Sequence, residues 1–244
     1  MKLQKGKVKK FNIKKEYIKA ALGSENAAMP KIKARFDTDQ DRVFIQDEKG
    51  KEIRPDIVGG ILADALAKKK DAVVYDLRCS KAIPEFLRNK GVVVIPGRVG
   101  HYNIKELMRK KRAVFGMEIT GHYYFKKFSY CESPLFALKI LEDAKKKTGK
   151  KLFELAIPFQ KYFHSGVIDM KILKPEIWNL KLKILKEKYK NGSQNEMDGL
   201  TVEFSNWWFN IRPSHTEPLI KLVIEAKRKE ILEEKKKEIL NYLK

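Results

Sequence analysis

The sequence predicts an α/β fold class, with a parallel-type α/β domain followed by a smaller α+β domain. Three observations predict it. From residue 51 onward, strand-like apolar runs alternate with helical segments, the pattern of a layered and largely parallel sheet. The alternation breaks near KYFHSGVIDMKILKP, residues 161–175. Beyond the break come one helical segment, three strand-like runs and a lysine-rich terminal helix, an α+β unit near the smallest size that folds alone.

The elements follow in order. KVKKFNIKKEYIKAAL (7–22) predicts a short helix ending near Gly23, and GSENAAMP a loop of small and turn residues. RVFIQDEKGKEI reads as a hairpin turning at Glu48–Gly50. IVGGILADALAKK is then helical, AVVYDL a strand, AIPEFLRNKG a helix, VVVIPG a strand, YNIKELMRKK a helix and AVFGMEI a strand. The apolar helix SPLFALKILEDAKKK and the segment KLFELAIPFQKYF come next. Past the break, Pro175 sits near a helix start and Gly192 follows its end, with Ile177, Leu180, Ile184 and Leu185 predicted on one face. LTVEF, WWFNIR and LIKLVIEA read as strands, with VIDMKIL beside them. No internal repeat occurs.

Composition excludes several classes. The 244 residues are 43% apolar, enough for one or two cores. The longest apolar runs, such as VVVI at 92–95, are too short to span a bilayer, so no membrane partner is expected. MKLQKGKVKK has no apolar stretch behind its charges and is no secretory signal. Cys79 and Cys131 stand without CxxC partners, which points to reduced thiols and a cytoplasmic location. The net charge of +22 invites a nucleic-acid reading. The lysines, however, are spread over helix faces and no nucleic-acid-binding motif is present. A solvated basic surface, which also favours anionic small substrates, is the better reading, and nucleic acid is not the expected partner.

Four constellations carry chemistry. In RFDTDQDRVF, Asp37, Asp39 and Asp41 alternate and Arg42 follows. On a strand the three carboxylates would share one face and repel. A loop bent around a hard cation such as Mg²⁺ relieves this, and a solvated acidic turn is the alternative. In FGMEITGHYYF, Glu118 and His122 flank Gly121 past a predicted strand end, the ligand edge of an open α/β sheet. The carboxylate suits sugar hydroxyls, and the imidazole suits proton exchange near neutral pH. Arg78 and His101 also fall just past strand ends. Fourth, the turn of FNIRPSHTEPLIKLVIEA gathers Arg212, Ser214, His215 and Thr216, a guanidinium and hydroxyls that suit a phosphate.

Taken in this order, the motifs resemble the C-terminal part of the α-D-phosphohexomutase family, the phosphomannomutases and phosphoglucomutases, from about residue 34 to the end. FDTDQDR resembles the family's metal loop, FGMEITGHYYF its sugar-recognition loop and WWFNIRPSHTEP its phosphate-binding loop. DLRCSKAIPE and RVGHYNIKELM fit its third domain, and the first helix resembles the opening of its second. The resemblance implies interconversion of hexose 1-phosphates and 6-phosphates through a phosphoserine and a bisphosphate intermediate. It implies Mg²⁺ held by Asp37, Asp39 and Asp41 with Arg42 nearby, and His122 as candidate acid/base. Glu118 and Thr120 would bind sugar hydroxyls, Arg78 and His101 would line the sugar-phosphate site, and Arg212, Ser214, His215 and Thr216 would grip the non-reacting phosphate. The implied divisions are 1–50, a remnant of the second domain with the metal loop; 51–162, the third domain; and 163–244, the fourth.

Departures stand beside it. Thr38 and Gln40 replace metal-loop glycines, Met117 a glycine, Thr120 and Tyr102 serines, and His215 stands where Asn or Gly is common. No TASHNP-like serine loop occurs in these residues. The expectation is a truncated or internally deleted member, inactive alone. It is read as part of a phosphohexomutase, as a non-catalytic sugar-phosphate binder, or as a half whose partner is a separate chain carrying the phosphoserine domain.

Overall fold

The computed structural model describes residues 15–24, 27–171, 175–214 and 217–243. The elements are α1 (Lys15–Leu22), β1 (Ala34–Phe36), β2 (Val43–Gln46), β3 (Glu52–Ile53), α2 (Pro55–Leu66), β4 (Ala72–Asp76), α3 (Ala82–Asn89), β5 (Val93–Gly97), α4 (His101–Lys111), β6 (Phe115–Met117), β7 (Tyr123–Phe125), β8 (Cys131–Glu132), α5 (Pro134–Thr148) and α6 (Leu152–Ala156). They continue with β9 (Phe163–His164), β10 (Ile168–Lys171), α7 (Pro175–Lys188), β11 (Ser193–Asn195), β12 (Leu200–Glu203), β13 (Trp207–Pro213), β14 (Leu219–Ala226) and α8 (Lys229–Leu243).

The first sheet is antiparallel, in the order β1-β2-β3. Its β2–β3 turn forms where the sequence predicts it: the Asp47 carboxylate accepts from the Lys49 and Lys51 amides, both at 2.9 Å. The first half of the helix expected over 7–22 lies outside the described residues, and α1 occupies the second half.

The second sheet runs β5-β4-β6-β7-β8. β4 is parallel to β5 and β6, whereas β7 and β8 add antiparallel pairs. The parallel half matches the expected alternation. The antiparallel half was not foreseen, because YYF is a run of three residues with no alternation and all three are buried. Both faces of the sheet are covered. Val73 and Tyr75 join the larger core with Ile57, Ile61 and Leu141, while Val74 points to the opposite core with Ile104 and Met108. Period-two alternation between two cores is why AVVYD reads as a continuous apolar run.

The third sheet is antiparallel, ordered β10-β14-β13-β12-β11, with β9 also beside β14. Its core includes Leu185, Tyr189, Val202, Phe209, Leu222 and Ile239. The face predicted for α7 is corrected here. Leu185 is fully buried, but Ile177, Leu180 and Ile184 are exposed, and Trp178, Leu182 and Tyr189 pack against the core instead. Two apolar stripes compete on this helix, and the one carrying the bulky aromatics buries more area. Cys79 and Cys131 are free thiols. Among the described residues, no helix is long and apolar enough to cross a membrane.

Candidate active site

Parallel pairing puts the C-terminal ends of β4, β5 and β6 on one edge, so the segments that follow them meet there. Asp76 ends β4, and its carboxylate takes the Arg78 guanidinium at 2.5–3.0 Å and the Ile119 amide at 3.4 Å. Arg78 is therefore buried, not lining an open cleft, which corrects its expected place. A charge that leaves water needs a partner, and the Asp76 carboxylate two residues away supplies it. The Arg78 backbone carbonyl also accepts from His164 Nε2 at 3.1 Å, while His164 Nδ1 accepts from the Gly166 amide. Burial, reinforced by the nearby Arg54 charge, lowers His164 to about 4, so it is neutral near pH 7. His101 stands exposed at the first position of α4.

The β6–β7 turn carries the sugar-loop residues. Gly121, at φ +96°, lets the chain reverse so that Glu118 and His122 face one another across it. Glu118 is buried and well engaged: Oε1 accepts from the Gly100 amide at 2.9 Å, and Oε2 from Tyr124 Oη at 2.6 Å. Oε2 also lies 3.1 Å from His122 Nδ1, and Thr120 Oγ1 is 3.0 Å from the same nitrogen. A carboxylate has about four acceptor positions, so one remains for a ligand hydroxyl.

His122 Nε2 has two rival partners. When neutral it accepts from Arg42 Nε at 3.1 Å, and when protonated it donates to Asp41 Oδ2 at 3.3 Å. A proton on Nε2 thus exchanges one partner for the other, which is what an acid/base group requires. Burial disfavours the charge on His122, but Glu118 outweighs it and holds the imidazole above its usual range. Burial likewise pushes Glu118 up, and the bonds from His122 and Tyr124 override it and bring it down to about 2. The stability from His122 is complete below about pH 6.5 and is lost as pH rises through its folded value. That from Glu118 is complete above about pH 4.5 and is lost as pH falls toward its folded value. Both contribute between those limits. In a proton NMR titration, His122 should titrate above the usual histidine midpoint, and Glu118→Gln should bring it below that midpoint. An unchanged midpoint in the variant would remove Glu118 as the cause.

The acidic loop lies against this turn, since the Val43 amide donates to the Gly121 carbonyl at 3.4 Å. Asp37 accepts from the Arg42 amide at 3.2 Å and pairs with Arg42 Nε at 3.3 Å. Asp41 Oδ1 is 3.8 Å from the same nitrogen, and Asp39 is exposed. Gln40 takes φ +58°, one of the two positions where the resemblance expects glycine. Among the described residues no group of three His, Cys, Asp or Glu is arranged to hold a metal. The Mg²⁺ site expected from Asp37, Asp39 and Asp41 is therefore not assembled by this arrangement. Two of its carboxylates lie against Arg42 and His122. One buried atom of the set, Asp41 Oδ1, has no hydrogen-bond partner.

The phosphate-type turn closes the β13–β14 hairpin, which pairs in register from Trp207↔Ala226 to Pro213↔Ile220. The Ser214 amide donates to the Leu219 carbonyl at 2.7 Å. His215 and Thr216 lie outside the described residues. Arg212 is buried, donates from Nε to Asp198 Oδ1 at 2.9 Å, and keeps a buried Nη2 without a hydrogen-bond partner among the described residues. A desolvated guanidinium nitrogen with no acceptor is costly alone and suits an incoming anion. Asp76, Tyr124 and Asp198 were not singled out from the sequence. Each is a lone polar residue without a motif, and Asp198-Gly199 reads as ordinary turn chemistry.

Comparison with known proteins identifies the framework. Residues 54–162 match the family model for phosphoglucomutase/phosphomannomutase, alpha/beta/alpha domain III, and residues 167–241 match its C-terminal domain. A phosphomannomutase of Methanocaldococcus jannaschii is 44% identical over 193 residues, covering 78% of this chain and 42% of that relative. The chain thus spans less than half the length of that relative. A phosphoglucomutase/phosphomannomutase family structure from Burkholderia thailandensis superposes with a TM-score of 0.69 at 20% identity, covering 94% of this chain and 50% of the other. Aspergillus fumigatus N-acetylphosphoglucosamine mutase, in complex with GlcNAc-6P and magnesium, gives a TM-score of 0.60 at 14% identity, covering 96% and 53%. With its two family domains matched in tandem and its fold shared by these structures, the chain belongs to the phosphoglucomutase/phosphomannomutase family.

Proposed function

We propose that this chain is the sugar- and phosphate-gripping part of a phosphohexomutase, an isomerase that interconverts hexose 1-phosphates and 6-phosphates through a phosphoserine and a hexose bisphosphate. The observation that carries the reading is Arg212, buried beside Asp198 with Nη2 left for an anion. In this reading residues 51–162 recognise the sugar, 163–244 hold the non-reacting phosphate, and 1–50 belong to the second domain. Glu118 takes a sugar hydroxyl with its remaining acceptor position. Thr120, bonded to His122, and His101, next to the Gly100 amide that donates to Glu118, adjoin it, and Arg78 acts by holding Asp76, whose carboxylate accepts from the Ile119 amide, rather than by touching the sugar. His122 Nε2 accepts the proton of the attacking sugar hydroxyl as the new oxygen–phosphorus bond forms and the serine oxygen–phosphorus bond breaks. Ser214, His215 and Thr216 complete the phosphate turn. Magnesium, which accompanies the Aspergillus enzyme in its complex, would supply charge neutralisation in such a reaction.

Phosphoryl transfer in two steps needs a covalent carrier, and these 244 residues contain no TASHNP-like serine loop. The chain alone is therefore expected to bind hexose phosphates without turning them over. A coupled assay from mannose 1-phosphate or glucose 1-phosphate, with Mg²⁺ and a hexose bisphosphate, should give no rate above background. Robust turnover would reveal another carrier. Absence of glucose 6-phosphate binding by calorimetry would overturn the assignment of the site.

A further inference from the structure

Hydrogen bonds cross the seam between the second and third sheets, among them His164 Nε2 to the Arg78 carbonyl at 3.1 Å. No side chain is shared between the cores of residues 43–159 and those of residues 168–243, among the described residues. Lys81 bridges the seam instead, its amide donating to Glu225 Oε1 at 2.9 Å and its ammonium to Glu203 Oε2 at 2.6 Å. Cavities of about 110 and 100 Å³ lie in this seam, and each is lined in part by Lys81 and Glu203.

One contact across this seam also holds the phosphate arginine. Asp198 is buried, and each of its carboxylate oxygens is engaged: Oδ1 by Arg212 Nε at 2.9 Å, Oδ2 by the Val99 amide at 2.8 Å. Val99 lies in the β5–α4 loop, and the next amide, Gly100, is the one that donates to Glu118. The Asp198 backbone is itself pinned: its carbonyl accepts from Asn210 Nδ2 at 3.0 Å. Gly199 presses so closely on β13 that a Cβ there would lie 2.2 Å from the Ile211 carbonyl oxygen. One carboxylate, fixed to β13, therefore sets the spacing between Arg212 and the loop that orients Glu118.

We infer that Asp198 is a positioning residue and domain latch, which docks the phosphate-binding unit onto the sugar-binding unit through the Val99 amide while orienting Arg212. The inference rests on the phosphohexomutase reading for its ligand, a hexose phosphate spanning both units, but not for the latch itself. Free phosphate needs only the β13–β14 turn, with Arg212 in it. A hexose phosphate needs Arg212 and Glu118 at the right separation, so breaking the latch penalises the second ligand more than the first.

Asp198→Asn separates these roles in the full chain. Its one remaining acceptor stays with the charged Arg212, the stronger donor, and its new amide group faces the Val99 N–H, donor against donor. Hydrogen exchange at the Val99 amide should accelerate at least tenfold in the ligand-free variant. By calorimetry, Kd for glucose 6-phosphate should rise about tenfold, while Kd for inorganic phosphate stays within threefold. Unchanged Val99 exchange, or parallel weakening of both ligands, overturns the latch. If wild-type protein binds neither ligand, the functional reading fails, and the exchange measurement alone decides the latch. If the variant does not fold, wild-type exchange decides it, since Val99 exchanging as fast as an open loop overturns the inference.

Discussion

Replacing Arg212 by alanine should weaken glucose 6-phosphate binding about tenfold to a hundredfold. A hydrogen bond from a charged donor is worth roughly 1.5–3 kcal/mol, and about 1.4 kcal/mol corresponds to one decade in Kd. The contact belongs near the upper end because Arg212 Nη2 is buried without a partner, so a bound phosphate oxygen meets a donor already stripped of water. Arg212→Lys should recover only part of the loss, since an ammonium keeps the charge but not the fork that Asp198 orients. Lys235→Ala is the control. Its ammonium pairs with Glu234 and Glu238 on α8, not with the turn, and its loss should change affinity less than twofold. Calorimetric titration of the three variants checks this. Equal losses in Arg212→Ala and Lys235→Ala would mean that the general basic field, not the turn, binds the anion.

Asp56→Ala should lower folding stability by about 3–5 kcal/mol, the range for removing one partner of a buried ion pair. Asp56 is fully buried at the start of α2. Its carboxylate takes Arg54 Nε and Nη2 at 2.5 and 3.0 Å, the Ile57 amide at 2.9 Å and the Ser80 amide at 2.8 Å. Alanine would leave a largely buried guanidinium and the Ser80 amide without their acceptor, while the Ile57 amide keeps the Arg54 carbonyl at 2.9 Å. Burial pushes the Asp56 carboxyl up, but the Arg54 charge and hydrogen bonds override it and hold it below the usual range. The stability it supplies is therefore present above about pH 3.9 and lost as pH falls through its folded value. Urea unfolding at pH 7 should show the full difference between wild type and variant, and the difference should shrink in strong acid. A loss under 1 kcal/mol, or one that grows in acid, would rule out the ionised pair as its source.

Local pattern carried most of the architecture. The hairpin at Glu48–Gly50 forms because Asp47 and Gly50 meet the demands of a tight turn within five residues. AVVYD and LIKLVIEA announce strands because β-branched residues fill two-sided and one-sided cores, and the helices between them show their periodicity directly. The motif strings around Asp37, Glu118 and Arg212 identify the family because their order and spacing are specific.

What the sequence by itself determined was therefore the succession of elements, the family and the residue types offered at the sheet edge. Tertiary structure alone decided which of those residues meet. Arg78 turns inward to Asp76, and the Asp37 and Asp41 carboxylates lie against Arg42 and His122. On α7, core packing selects the stripe with Trp178, Leu182 and Leu185 over the one with Ile177 and Leu180. The Asp198–Val99 bond joins residues 99 positions apart. Backbone propensity and hydrophobic period act within a few residues, so they are legible along the chain. Charge pairing and burial depend on which distant groups share a dry interior, and only the folded packing settles that.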